Sequence, residues 1–297
     1  MKVLAVALLA LVAVSTARHI IGLEEVIDLE TLSAYDYFNK VGILLAEEIL
    51  QAEIEAASNP SRIVGGSAAR VGQFPYQAGL IIDLTSGRTG VCGGSLLNSR
   101  RVLTAAHCWN DGQNQAWRFT VVLGSVQLYS GGTRVASSSV TMHGSWNPSL
   151  IRNDIAMINL PSAVSTSANI GFIALPSGNE INNQFVGATG TASGFGITRD
   201  GGSVSGALNH VNLPVISNAV CRETFTIYIQ SSNICTSGAN GRNICRGDSG
   251  GPLVVNSNNR RILVGVSSFV SGRGCQAGAP GAFARVTSFI SWINQRL

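Results

Sequence analysis

From Ile63 onward the chain is a series of short β-type runs broken by clusters of Gly, Asn and Ser. Phe119–Leu123, Asp154–Leu160 and Ile262–Val266 are the clearest runs. β-branched and aromatic residues suit a pleated surface, and the clusters between them supply turns. With 34 glycines in 297 residues, the pattern favours an all-β domain over a helical bundle. The last segment, Thr287–Arg296, departs from it. Phe289, Ile290, Trp292 and Ile293 have helical spacing there. Residues 18–62 also differ. They lack cysteine, and Phe38, Val41, Leu44, Leu45, Ile49 and Ile54 form an apolar helical stripe with Glu on the other side. The Ser58-Asn59-Pro60-Ser61 stretch then breaks the pattern.

The first 17 residues are a separate object. Lys2 gives a positive start, Val3–Val14 a short apolar run, and Ser15-Thr16-Ala17 small residues for cleavage. This is the layout of a secretory signal peptide. The run is too short to span a bilayer, and no later run is long enough. We expect a secreted, extracellular product with no membrane association. Six cysteines fit an oxidising route, where disulfides persist. Sequence alone does not choose their pairing. No Cys-x-x-Cys pair occurs, no carboxylate lies between Val121 and Trp146, and no usable Asn-x-Ser/Thr sequon is present. No cofactor or metal is called for, and N-glycosylation is not expected.

Charge is unevenly shared. Residues 63–297 hold 16 Arg, no Lys and 7 acidic residues, whereas residues 18–62 hold 3 basic and 9 acidic ones. The arginines are scattered, without a basic helix or interleaved aromatics, which argues against nucleic acid as a partner. The acidic segment has charge to sit on the basic remainder, or it is a solvated spacer. Arg keeps its charge far into alkali where Lys loses it. The lysine-free region therefore fits work in alkaline fluid. Drift, or avoidance of lysine-directed proteases, would leave the same pattern.

Four short motifs carry chemistry. Gly247-Asp248-Ser249-Gly250-Gly251-Pro252 reads as a tight turn presenting a serine. A serine hydroxyl needs a neighbouring base before it can attack. Thr104-Ala105-Ala106-His107-Cys108 offers a base that titrates near neutrality. Asn153-Asp154-Ile155-Ala156 offers a carboxylate before a run that reads as buried, where a charge requires a partner. Arg62-Ile63-Val64-Gly65-Gly66 looks like a processing junction. His143 and His210 lack such flanks and read as surface or satisfied polar residues.

These motifs, in the order His, Asp, Ser, resemble the chymotrypsin-like serine proteases over about residues 63–297. The resemblance implies two antiparallel six-stranded Greek-key β-barrels with a C-terminal helix, after a helical propeptide at 18–62. The join between barrels is expected near Ile170–Pro176. It implies His107, Asp154 and Ser249 as catalytic residues. The Gly247 and Ser249 amides would form the oxyanion hole, and Ser268 would support Asp154. It implies the bridges Cys92–Cys108, Cys221–Cys235 and Cys245–Cys275. It also implies activation by cleavage after Arg62, with the freed Ile63 amine pairing with Asp248. That step calls for a trypsin-like activating protease.

The specificity pocket is expected at Asn243, Val270 and Gly281. A neutral Asn243 leaves a lysine or arginine side chain without a counter-ion, so tryptic preference is disfavoured. Val270 narrows the pocket mouth. Ser268–Ser271 resembles elastases and arthropod collagenolytic proteases. The first expectation is a small or medium apolar residue before the cut, the second a large aromatic. The overall expectation is a monomeric digestive endopeptidase made as a zymogen, acting on proteins or peptides and open to proteinaceous inhibitors. The alternative is a catalytically silent homologue that binds or regulates.

Overall fold

Two strands that are buried along nearly their whole length, β2 (Gln77–Leu84) and β3 (Thr89–Asn98), form the heart of a first sheet. Their alternate side chains feed a core with Leu80, Ile82, Val102, Phe119 and Val121 at its centre. The sheet runs in the order β6 (Thr133–Ser137), β5 (Ala116–Leu123), β2, β3, β4 (Arg101–Thr104), β8 (Ala156–Asn159) and β7 (Val140–Met142), all antiparallel. This is a computed structural model, and it describes residues 28–58, 67–202, 204 and 206–297. The expected signal peptide, Arg62 and Ile63 lie outside the described residues. Among the described residues, no helix is long and apolar enough to cross a membrane.

A second sheet has the order β1 (Ser67–Ala68), β10 (Asn209–Ile216), β11 (Asn233–Thr236), β14 (Gly281–Arg285), β13 (Arg260–Phe269), β12 (Pro252–Ser257) and β9 (Thr189–Gly194). A further pairing of β9 with β10 closes six of these strands into a barrel. Leu213, Leu253, Ile262, Val264 and Phe283 fill it. The two-barrel, all-β architecture expected from sequence is present, with one difference. The first sheet has seven strands, and no pairing joins its outer strands β6 and β7. Both outer strands are short and largely exposed. Ile170–Pro176 lies in the segment between the last strand of the first sheet and β9.

Helices are few. α1 (Ile43–Ser58) continues directly from a wider turn at Phe38–Gly42, α2 (Asn218–Phe225) is capped by Ser217, and α3 (Ile290–Asn294) buries Ile293 at the C-terminus. Three disulfides join Cys92 to Cys108, Cys221 to Cys235, and Cys245 to Cys275. The pairing is the one the family resemblance implies.

The N-terminal segment is not a loose spacer. Tyr37, Phe38, Val41, Ile43, Leu45 and Ile49 join the core of the first sheet. Leu44 and Ile54, included in the expected stripe, are instead 52% and 55% exposed. At about 100° per residue, Leu44 lies a quarter turn or more from Leu45, and Ile54 about 140° from Ile49, so both face away from the buried Leu45–Ile49 line. Between described residues no ion pair joins the acidic segment to an arginine. Its polar contacts to the barrels run instead to backbone and to neutral or acidic side chains, such as Asn114 on Asp36 and the Phe38 amide on Asp111. Glu53 is buried and accepts from the Leu128 and Tyr129 amides at 2.6 and 3.0 Å. Glu30 pairs with Lys40 of the same segment at 2.8 Å.

Leu80 sits on the central strand with no exposure. Leu80→Ala is expected to cost about 2–5 kcal/mol, read as a lowered thermal midpoint of the Ser249→Ala chain.

Candidate active site

The site lies where the two sheets face each other, and the first sheet supplies two of its side chains. His107 occupies a short 3-10 turn, Ala106–Cys108, directly after β4. Cys108 ties that turn to β3 through Cys92. Asp154 precedes β8, after Asn153 in a left-handed conformation (φ 58°). Both side chains are buried. The His107 ring Nδ1 is 2.7 Å from Asp154 Oδ2, and the His107 amide donates to Asp154 Oδ1 at 2.9 Å.

The second sheet completes the carboxylate's environment. β13 carries a bulge between Ser267 and Phe269, so Ser268 drops out of the strand pairing. Its hydroxyl donates to Asp154 Oδ2 at 2.5 Å. Burial alone would raise the Asp154 carboxyl. The His107 charge, the His107 ring hydrogen bond, the Ser268 hydroxyl and the His107 amide together outweigh it, and hold the group below the usual carboxylate range. A carboxylate so placed fixes one imidazole tautomer and orientation.

Ser249 lies on the loop before β12 and is buried. The loop is stitched on both sides. The Gly93 amide of β3 donates to Ser249 O at 2.7 Å, and the Gly250 amide donates to Ser267 O at 2.8 Å. Gly250 has φ +77°, and a Cβ there would strike Thr104 and the Gly93 carbonyl. Only glycine permits both the angle and the approach. Gly247 has φ +97°. Among the described residues, neither the Gly247 nor the Ser249 amide donates to a protein acceptor. Both amides are therefore uncommitted donors beside the serine.

Asn243 and Gly281 meet as expected: a Cβ on Gly281 would collide with the Asn243 amide oxygen. That oxygen accepts from the Ile244 amide at 2.9 Å, and the Asn243 nitrogen donates to Ala279 O at 2.8 Å. Val270 is buried in the cluster that includes Ile244. Asp248 turns away from the serine, towards Gly194 and Gly196. It accepts from the Cys245 and Gly196 amides at 2.8 and 3.0 Å. Among the described residues no cation pairs with it, and burial pushes its carboxyl up to about 6. It lines a cavity of about 340 Å³ together with His210. His210, read from sequence as a surface or satisfied polar residue, leaves its buried Nδ1 without a partner among the described residues.

One group at the centre of the site escaped the sequence reading. The Tyr37 ring stacks edge-on against His107 with centroids 5.0 Å apart. Its hydroxyl donates to Val91 O at 2.8 Å. Among the described residues no hydrogen bond joins Ser249 to His107. Burial pushes the Tyr37 hydroxyl above the usual phenol range, partly offset by the Ser249 side chain beside it. The Phe38-Val41-Leu45-Ile49 stripe was visible in the sequence, but not the surface it would meet.

Comparison with known proteins identifies the family. The family profile described as Trypsin matches residues 63–293. A collagenase of Hypoderma lineatum is 42% identical over 235 residues, covering 79% of this chain and 86% of that protein. A brachyurin of Leptuca pugilator is 40% identical over 236 residues, covering 78% and 97%. The solved structure of HL collagenase superposes with a TM-score of 0.71 at 42% identity, covering 79% of this chain and 98% of that one. Fold and site define a two-barrel serine hydrolase. The chain belongs to the trypsin family of serine proteases.

Asp154→Asn is expected to lower kcat by roughly 10⁴-fold by favouring the wrong imidazole tautomer. Ser268→Ala should lower it much less, because the two His107 contacts remain. Steady-state kinetics on a short peptide ester would check both. Because the folded-state Asp154 carboxyl is depressed, its stabilising contribution is present above the unfolded pKa and is lost as pH falls through the folded one. Acid unfolding of the Asp154→Asn variant should therefore begin from a lower plateau and be less steep.

Proposed function

We propose that the protein is a secreted, digestive serine endopeptidase made as a zymogen, with Ser249 as nucleophile, His107 as general base and then acid, and Asp154 as orienter. The observation that supports this most strongly is the Asp154 carboxylate, which takes hydrogen bonds from His107 of one barrel and Ser268 of the other. In this mechanism Ser249 Oγ attacks the scissile carbonyl carbon while His107 Nε2 takes its proton. The carbonyl oxygen becomes an oxyanion held by the Gly247 and Ser249 amides. Collapse breaks the C–N bond, and His107 returns the proton to the leaving amine. Water repeats the sequence on the acyl-enzyme and releases the acid. Loss of one oxyanion donor in such a site costs about 10²–10³ in kcat.

The substrate preference proposed is a small or medium apolar residue before the cut. Asn243 has its amide engaged with Ala279 and Ile244, so the pocket floor is neutral and polar and offers no counter-ion to a cationic side chain. Activation is proposed to follow cleavage after Arg62. The support is Asp248, a carboxylate tucked under the serine loop beside a cavity and without a cation among the described residues. The Ile63 amine would bring the missing charge. A silent binding homologue is the second reading; a sequence that keeps His107, Asp154 and Ser249 gives it no particular support.

The decisive experiment cleaves the chain after Arg62, frees the product of residues 18–62, and adds a serine-directed phosphonylating reagent. Label on Ser249 and hydrolysis of peptides with Ala, Val or Leu before the cut are expected. Absence of both would favour the silent homologue, and a preference for Arg or Lys would overturn the pocket assignment.

The zymogen also carries a pH signature. A folded carboxyl raised from 3.8 to about 6 contributes stability that is present below the unfolded value and lost as pH rises through the folded one. With some solvent access remaining, the cost is on the order of 2 kcal/mol. In a Ser249→Ala background, the uncut chain should lose thermal stability between about pH 4 and 6. The cut chain, with Asp248 paired, should lose less. Differential scanning calorimetry of the two forms measures the difference.

A further inference from the structure

Segment 28–58 occupies the places that a peptide substrate would need. It begins along the edge of the second barrel. Leu32 pairs antiparallel with Ser271, the Gly272 amide donates to Thr31 O at 2.6 Å, and the Ser33 amide donates to Val270 O at 3.3 Å. Addition of a strand to an open edge is a general way to hold a peptide in a protease cleft. Here the match is incomplete in one respect. The Val270 amide donates to the Ser33 hydroxyl oxygen at 3.1 Å, not to a backbone carbonyl.

The segment then leaves the substrate path. Asp36 takes a left-handed conformation (φ 52°), and helical backbone follows from Phe38. Asp36 O is taken by the Lys40 amide at 3.1 Å. No extended peptide bond is thus presented to Ser249. Side chains fill the space instead. Tyr37 is 1% exposed, stacked on His107 and next to Ser249. The Leu45 side chain fills the place where a Cβ on Gly247 would be. Phe38 packs on Gly90 of β3, and its amide donates to Asp111 Oδ2 at 2.9 Å. Farther along, Glu53 is clasped by the Leu128 and Tyr129 amides. The segment has no cysteine, so no disulfide ties it to the barrels.

We propose that segment 28–58 is a protease inhibitor of its own mature domain, held in the cleft by Tyr37 and Leu45, and that it stays bound after the chain is cut at Arg62. The proposal rests on the endopeptidase reading only for its consequence, loss of turnover. Cutting at Arg62 removes a covalent link and leaves every contact named above intact. Activity then requires a second event, dissociation or digestion of the segment. The bound segment resists Ser249 because its carbonyls are in helical hydrogen bonds and its side chains occupy the site. Once released, the same peptide is a competitive inhibitor in trans. As a free peptide it must also be ordered on binding, so it will bind less tightly than the segment retained in the cut chain.

The test uses the full chain, cut completely at Arg62 as shown by a new Ile63 N-terminus. Before separation, hydrolysis of an apolar peptide substrate should be low. It should rise on dilution or after the segment is removed by size exclusion. A synthetic peptide of residues 28–58 added back should raise KM and leave kcat unchanged. Its Tyr37→Ala, Leu45→Ala form should inhibit at least about tenfold less well. Calorimetric titration of the mature domain with the peptide reads binding without activity, and phosphonylation of Ser249 should weaken that binding. Full activity immediately on cutting, no peptide binding, or inhibition with KM unchanged would overturn the proposal. If the freed domain neither hydrolyses peptides nor takes the label but binds the peptide through Tyr37 and Leu45, the endopeptidase reading fails and the cleft-binding inference stands.

Discussion

A single buried carboxylate fixes the relation between the barrels and the chemistry between them. Asp154 is 2% exposed and sits between two sheets. A charge in that position is tolerable only when its lone pairs are used. The His107 amide and ring bind it from the first sheet, and Ser268 binds it from the second. The carboxylate and each partner are delivered by an irregularity: a left-handed Asn153 before β8 for Asp154, a 3-10 turn after β4 for His107, and a bulge in β13 for Ser268. Regular strands would point these side chains elsewhere. The same contacts that neutralise the carboxylate also orient the imidazole, so the stability of the interface and the geometry of the base are one problem.

Glycine solves the matching problem on the serine side. The loop carrying Ser249 approaches β3 so closely that Gly93 and Gly251 stand in for side chains that would not fit. Gly247 and Gly250 supply positive φ angles on either side of the serine. The result is a serine whose backbone is fixed to both sheets and whose neighbouring amides are left uncommitted. Asp248, between the two, must then face away from the site, which places its carboxyl under the loop and makes the loop sensitive to whatever charge arrives there.

The N-terminal segment adds a third constraint to the cleft. Its apolar stripe joins the core of the first sheet, and its Tyr37 covers the His107 ring. Backbone amides, not arginines, receive its buried Glu53. Shape and apolar area thus seat it, with carboxylates used as local acceptors. The large difference in charge between segment and barrels, evident in composition, is not what the described contacts use.

Much of this was written in the sequence. The β runs and glycine clusters announced an all-β domain, because backbone angles and turn chemistry are local properties. Likeness to a known family around His107, Asp154 and Ser249 pointed to the bridges and to the residues gathered about Asp154, and the apolar stripe announced a helix in the N-terminal segment. What the sequence left open concerns meetings between distant parts. Leu44 and Ile54 shared the loose stripe but not the burial, because on a regular helix they point well away from the Leu45–Ile49 line that docks. Tyr37 carried no motif at all. Its place over His107 depends on how an apolar helix docks on a curved sheet, and that is settled by packing between surfaces assembled from residues far apart in the chain.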